Sequence, residues 1–373
     1  MSKEILIATQ PGDFHAYAVA EALRCKGESP LIWHTSDFPH RATESVRFTG
    51  QTRSMRVAGP GLDLGDRRVD VVWNRRPDHR MDEEILHPAD VDFADLSCTV
   101  FRSSLFQLVG QGGFWINDHL AVRRSSKLMQ HHAAAAVGLC MPDTLYSNEP
   151  QAIRAFLREQ GGRIVYKPLV ARCWWSGGDT YRTSYTTLIR EADLVDDELL
   201  RAVPGIYQAL VPKAHELRVT IMGHEIVAAR LRSQETRAGK LDWRKGCDEL
   251  VMEPCTLPAD LAARCLALLD ALGFVFGCLD FVVTPAGEHV FLEVNQAGQF
   301  LFIEERAGLP MLDMFCEFLR QGRPDFRWAG GATPVSLAQV TPAAAAVLDE
   351  ARVVHGPSVS YSYHEPAEPA AAP

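Results

Sequence analysis

Asp280-Phe281-Val282-Val283-Thr284-Pro285-Ala286-Gly287-Glu288-His289-Val290-Phe291-Leu292-Glu293-Val294-Asn295 is the stretch on which the fold turns. Apolar, β-favouring runs flank Pro285-Ala286-Gly287, which is the composition of a β-hairpin and its turn. Residues two apart on a strand point to one face, so Glu293 and Asn295 are co-facial. With a four-residue loop, residues 285–288, Thr284 faces His289 and Asp280 lies opposite Glu293. Two carboxylates and an amide oxygen then share a face, with the carboxylate Cβ atoms roughly 5 Å apart. A five-residue loop breaks that alignment. Paired carboxylates repel, and burial worsens the repulsion, so the arrangement persists where a cation sits between them. Hard oxygen ligands with positions left for phosphate suit Mg²⁺ held together with a nucleotide. The alternative is an exposed edge hairpin with solvated acids, against which Phe281, Val282, Phe291, Leu292 and Val294 weigh.

The chain around this hairpin has 373 residues, 47% apolar and 23% charged, which is globular composition and enough for two or three packed units. A formal net charge of −9 argues against a general nucleic-acid binder. Nine cysteines, none in C-x-x-C spacing, give no support to a zinc knuckle and fit reduced thiols in a cytosolic core. The apolar stretch after Met1 is too short for a signal peptide, and no run approaches the roughly 20 apolar residues of a membrane helix. The expectation is a cytoplasmic protein with neither a membrane nor a nucleic-acid partner.

Upstream, strands at 5–8 and 30–34 flank an amphipathic run at 14–25, the β-α-β opening of a parallel sheet. A third strand, 69–73, runs into Asn74-Arg75-Arg76-Pro77. A helix over 92–109 and a strand over 114–116 close this first unit. One continuous helix is expected over 120–137, another over 150–160, and a strand over 164–167 that stops at Pro168. Residues 172–182, rich in Trp, Ser and Gly, read as a mobile loop, either a lid or a backbone cradle for phosphate. Strands at 206–211, 217–222 and 226–231, a helix over 258–272 and the hairpin 275–294 follow. Thr341-Pro342 opens a short helix to 354, and residues 357–373, rich in Pro and Ala, read as disordered. His131-His132 read as structural, and Cys173 has no His/Asp arrangement to make it a nucleophile.

Leu292-Glu293-Val294-Asn295 with Gly298-Gln299 resembles the metal signature of the ATP-grasp ligases. Trp73-Asn74-Arg75-Arg76-Pro77, Val165-Tyr166-Lys167-Pro168, Glu216-Leu217-Arg218-Val219 and Asp242-Trp243-Arg244 extend the resemblance to the ATP-grasp maturases of graspetides (microviridin-type, omega-ester peptides). It covers the chain to about residue 320. It implies an α/β (α+β) ATP-grasp fold, divided into an N-terminal βαβ domain at 1–118, a central lobe at 119–205, a C-terminal lobe with the Mg site at 206–325 and an extension at 326–373. It also implies ATP and Mg²⁺ as cofactors. Lys127 and Lys167 would contact the nucleotide and its phosphates, Gln208 and Val211 the adenine hinge with Lys213 close by, and Glu216 the ribose; Asp242 and Arg244 would join the nucleotide site. Asp280, Glu293 and Asn295 would hold the metal. Lys167, Arg218, Arg230, Arg75 and Arg76 would serve catalysis, the last two as a clamp on the substrate carboxylate at a strand's C-terminal end.

The resemblance implies a ligase that activates Asp or Glu side chains of a ribosomal precursor peptide as acyl phosphates. Ser, Thr or Lys side chains of the same peptide would then close ester or amide cross-links. The partner would be that peptide, leader plus acidic core, and the enzyme itself a homodimer. An ATP-grasp ligase adding free amino acids to a carboxylate, as the ribosomal-protein glutamate ligases do, is the alternative; a non-catalytic nucleotide-binding interaction module is a third reading.

Overall fold

The computed structural model describes residues 3–78, 85–170, 173–175, 181–183, 185–237 and 239–356. Its N-terminal part opens with β1 (Ile5–Thr9), α1 (Phe14–Cys25) and β2 (Leu31–His34). A three-stranded antiparallel sheet of β3 (Thr43–Thr49), β4 (Thr52–Gly59) and β5 (Leu62–Asp63) follows. Polar alternation without a continuous apolar run hid this sheet from the sequence reading. Next come β6 (Val71–Asn74), α2 (Val91–Val109) and β7 (Phe114–Ile116). β2-β1-β6-β7 form a parallel sheet, as the β-α-β opening led one to expect.

The helix expected over 120–137 is two helices, α3 (His119–Arg124) and α4 (Lys127–Ala136). Ser126 divides them: its hydroxyl accepts the Met129 N–H and caps α4. Then follow β8 (Thr144–Ser147), α5 (Pro150–Glu159), β9 (Ile164–Lys167), β10 (Cys173–Trp175), β11 (Tyr181–Thr183), β12 (Thr187–Ile189), α6 (Asp197–Ala202) and β13 (Gly205–Ala209). β12-β9-β13-β8 make an antiparallel sheet. β10 and β11 pair as a separate ladder, while the remainder of the expected loop, including 176–180, lies outside the described residues.

A second antiparallel sheet, ordered β16-β15-β14-β17-β18, carries the hairpin. Its strands are β14 (His215–Met222), β15 (Glu225–Leu231), β16 (Met252–Cys255), β17 (Phe276–Val283) and β18 (His289–Asn295), with α7 (Ala259–Leu272) before β17. The β14–β15 turn needs Gly223, whose φ is +60° and whose Cβ would meet the Pro324 carbonyl at 2.7 Å.

Three helices end the described chain: α8 (Leu301–Ala307), α9 (Met311–Gln321) and α10 (Leu337–His355). α9 is buried along most of its length, between the parallel sheet and the hairpin sheet, and shares one core with α1, Phe276 and Phe300. The short helix expected from Thr341 starts earlier, at a Ser336/Gln339 capping box, and Pro342 lies inside it. Leu337, Val340, Ala344 and Ala351 bury α10 in the core that α1 joins, so residues 337–355 are part of the body. The tail at 357–373 lies outside the described residues.

Candidate active site

The hairpin loop is one residue longer than expected: Val283 pairs with His289, which leaves residues 284–288 as the connection. That register alone would misalign the acids. A β-bulge at Leu292 restores them, because Phe281 pairs with Phe291 while the adjacent Asp280 pairs with Glu293. Asn295 then faces Cys278 on the same side.

α4 holds the bulge in place. Lys127, Gln130 and His131 are spaced i, i+3, i+4 and so share one helix face. The His131 Nε2–H donates to the Leu292 carbonyl at 2.9 Å, and its Nδ1 accepts from the Tyr146 hydroxyl at 3.0 Å. Gln130 Oε1 accepts the Val294 N–H at 3.1 Å, and Lys127 Nζ meets Glu293 Oε2 at 2.8 Å. The sequence pointed to the lysine and to a structural His131, and the bond to Leu292 agrees with the latter; Gln130 went unnoticed, with the i, i+3 spacing as its available signal.

The two acids carry protein cations of their own. Arg218 NH1 donates to both Asp280 oxygens, at 2.9 and 2.8 Å, and its NH2 to the Gln299 carbonyl at 2.9 Å. Burial pushes the Asp280 carboxyl up, with Arg218 opposing. Burial pushes Glu293 up as well, but Lys127 and Lys167 more than reverse it and hold that carboxyl at about 2. Arg218 and Lys127 therefore supply the compensation that the sequence reading assigned wholly to a metal.

Lys167 ends β9 and reaches Gln208 Oε1 at 2.9 Å, and Gln208 in turn donates to the Thr144 hydroxyl at 2.9 Å. Burial lowers the Lys167 pKa to about 8, and Lys127, Lys213 and Arg244 push the same way against Glu293. Lys213 Nζ lies 2.9 Å from Glu216 Oε1, which also accepts from the Ser233 hydroxyl at 3.0 Å. Burial raises the Glu216 pKa. Arg244 forks onto Asp242, with Nε 2.7 Å from Oδ1. Val211 is half-buried in the link between β13 and β14. Lys127, Lys213 and Arg244 thus act electrostatically on Lys167, and Lys127, Lys167 and Arg244 on Glu293.

Two of the arginines sit elsewhere than expected. Arg230 pairs with Leu217, whereas Arg218 pairs with Ala229. Adjacent strand residues face opposite ways, so Arg230 is exposed on the other side of the sheet from Arg218 and Asp280. It leaves the catalytic set. Arg75 is buried at 1% exposure, with Nε 2.9 Å from Asp13 Oδ2 and NH1 on the Ala297 and Gly298 carbonyls. Its donors are committed to fixing the segment after β18 rather than open to a substrate. Arg76 is half-buried beside it, its N–H on the Ala8 carbonyl.

That segment is anchored at every step. Asn295 Oδ1 accepts the Ala297 N–H at 3.1 Å, and His15 Nε2 accepts both the Phe300 and Leu301 N–H groups at 3.3 Å, capping α8. At Gly298 a Cβ would stand 2.6 Å from Cys278 Sγ, so no larger residue fits. Asp13 and His15, both unnoticed in sequence, belong to this support.

A divalent metal fits the donor set. Asp280, Glu293 and Asn295 are all oxygen donors on one face, and each ligand oxygen that accepts one hydrogen bond keeps a second lone pair. Among the described residues no helix is long and apolar enough to cross a membrane.

In overall structure the chain is similar to a RiPP-associated ATP-grasp ligase of Chryseobacterium gregarium, solved with ADP and a leader and core peptide. The TM-score is 0.75 at 25% identity, over 86% of this chain and 98% of that one. It is similar to the macrocyclase MdnC of Microcystis aeruginosa, bound with precursor peptide MdnA, at TM-score 0.75 and 25% identity over 86% and 99% of the two chains. Macrocyclase MdnB of the same organism matches at TM-score 0.71 and 28% identity over 85% and 99%. No family model and no curated protein sequence matches the chain. On fold and structural likeness together, the chain is an ATP-grasp ligase resembling those of the graspetide-maturing kind.

Proposed function

We propose that the protein is an ATP- and Mg²⁺-dependent peptide ligase that cross-links a ribosomal precursor peptide in the cytoplasm. Asp or Glu side chains of the peptide are activated as acyl phosphates and captured by its Ser, Thr or Lys side chains. The observation that carries this reading is the set of cations along one face of the hairpin sheet: Lys127 lies 2.8 Å from Glu293, Lys167 and Arg244 act on the same carboxylate, and Lys213 lies 2.9 Å from Glu216 on the strand that pairs with β17. Cations facing paired carboxylates form a site for a polyanion and its divalent counter-ion.

A carboxylate resists attack by an alcohol or amine because hydroxide is a poor leaving group. Transfer of the γ-phosphoryl of ATP onto the carboxylate oxygen releases ADP and leaves phosphate as the departing group. Attack by a hydroxyl or amine then forms the ester or amide and expels phosphate, with the nucleophile's proton passing to solvent. Little covalent work falls to the protein; it positions groups and neutralises charge. Asp280, Glu293 and Asn295 would hold Mg²⁺, which supplies charge neutralisation at the phosphates. Lys167 sits at the end of β9 with its ammonium on Gln208 Oε1, close enough to Glu293 to hold that carboxyl's pKa down. Gln208, Val211, Lys213 and Glu216 line the inter-sheet link and suit the base and ribose. Arg218 holds Asp280 and the Gln299 carbonyl, which makes it a positioning residue. Arg76 keeps the carboxylate-holding role that Arg75, committed to Asp13, gives up.

Co-expression with acidic candidate precursor peptides, read by intact mass, tests the proposal. Loss of one water per link, dependent on Glu293, is the expected result. A gain of residue mass would instead identify an amino-acid ligase, and ATP-independent binding without mass change would leave an interaction module.

A further inference from the structure

Far from the acidic hairpin, the last turn of α10 returns to the corner after β2. There His34, Asp37 and His355 each offer one ligand atom, and the three atoms lie within 4.8 Å of one another. Asp37 is 3% exposed and His355 8%, and the two imidazoles stack with centroids 3.7 Å apart.

Hydrogen-bond bookkeeping fixes which atoms are free. Tyr17 has one hydroxyl proton, and it goes to the Pro11 carbonyl at 3.1 Å, an acceptor that can only accept. The 2.9 Å contact between Tyr17 Oη and His34 Nε2 is then donated by the imidazole. His34 Nε2 carries the proton, and the lone pair sits on Nδ1. On His355, Nδ1 lies 2.6 Å from Asp37 Oδ2 and donates to it; a cation entering between them would take the place of that proton, which leaves to solvent, and bind Nδ1. Asp37 Oδ1 is buried with no hydrogen-bond partner. His34 Nδ1 has no hydrogen-bond partner among the described residues.

An unmatched buried carboxylate oxygen beside an unpartnered imidazole lone pair is costly as a bare arrangement. With His355 Nδ1 they make an N₂O ligand set as soon as a cation enters. We propose that His34, Asp37 and His355 form a metal site for a borderline divalent cation such as Zn²⁺, which fastens the end of α10 onto the N-terminal sheet. Imidazole nitrogens favour such ions over Mg²⁺. A tetrahedral Zn²⁺ holds its donors about 3.3 Å apart, so a small side-chain closure completes the site, with water as fourth ligand. The surroundings resemble an outer shell: Tyr17 takes the far nitrogen of His34 and orients that ring.

The test uses the full chain, stripped with a chelator and titrated with Co²⁺ and then Zn²⁺. One equivalent of Co²⁺ should give a tetrahedral visible spectrum without a thiolate charge-transfer band, displaced by Zn²⁺. His34→Gln and His355→Gln should each weaken Zn²⁺ binding by at least about tenfold, while Glu293→Gln leaves it unchanged. Should a variant fail to fold, X-ray absorption on wild-type Zn²⁺ protein decides, with two imidazoles and no sulfur expected. The proposal fails if no stoichiometric ion binds, if both histidine variants bind as wild type, or if sulfur or Glu293 ligates the ion.

Discussion

Asp280→Asn and Glu293→Gln remove one charge each from the same pair of facing carboxylates, yet the structure separates their consequences. If repulsion between the acids dominated, either change would relieve it and leave the metal-free protein no less stable. The observed partners reverse that expectation for Asp280. Its side chain is 14% exposed and that of Arg218 only 5%, joined by a two-oxygen fork. Removing one partner of a buried pair costs about 3–5 kcal/mol, because the other charge stays behind unpaired. Asn still offers Oδ1 to one guanidinium N–H and the Gln299 carbonyl remains, so the lower end, about 3 kcal/mol, applies. Glu293 and Lys127 are 33% and 26% exposed, a range in which solvent screens the pair and about 0–1 kcal/mol is at stake.

Thermal unfolding without metal or nucleotide measures the difference. At roughly 2 °C per kcal/mol for a large chain, Asp280→Asn should melt on the order of 5 °C below wild type, with Glu293→Gln within about 2 °C. Both should lose ATP turnover. Equal midpoints for the two variants would refute the assignment of Arg218 as the guardian of Asp280. Turnover within a few-fold of wild type in both would refute the metal hairpin itself.

The remaining predictions concern the groups around that face. Lys167, with a pKa of about 8, binds phosphate best while charged, so ATP affinity should be flat below pH 8 and fall toward tenfold per unit above it. Lys167→Arg should remove the slope, and a flat wild-type profile to pH 9.5 would show that this lysine misses the nucleotide. His15, buried beside Arg75, has its pKa lowered to about 3, and its neutral Nε2 caps α8. Its contribution is complete above pH 6.5 and is lost at up to about 1.4 kcal/mol per unit as pH falls from 6.5 toward 3. In urea unfolding, wild type should lose about 2–3 kcal/mol relative to His15→Gln between pH 7 and 4.5; parallel profiles would refute the cap. Arg75→Ala leaves Asp13 buried without its partner, so about 3–5 kcal/mol of stability should go with the activity. Normal melting with lost cross-linking would restore Arg75 as a substrate clamp.

How far the sequence reached is clearest at Leu292. Period-two alternation identified both strands, and the pairing of Asp280 with Glu293 was reached through a loop one residue too short. The conclusion held because the bulge adds back the residue that the longer turn takes away. Nothing within the hairpin's own sequence announces that compensation, for Leu292 is as apolar as its neighbours. The cause lies 161 positions earlier, in a histidine whose ring N–H takes up the bulged carbonyl. Signals confined to one element survive single-sequence reading: strand alternation, a strand ending at Lys167-Pro168, an arginine-rich strand end. Which side a charge faces, and which charge meets it, depends on register and on partners remote in sequence. Arg230 was misread by one residue of parity, and Arg75 by a partner, Asp13, on the other side of a parallel pair. The bulge's importance can be measured at the histidine that holds it. His131→Phe keeps a ring against Phe291 but removes the bond to Leu292, and so acts on the spacing of two acids it never touches.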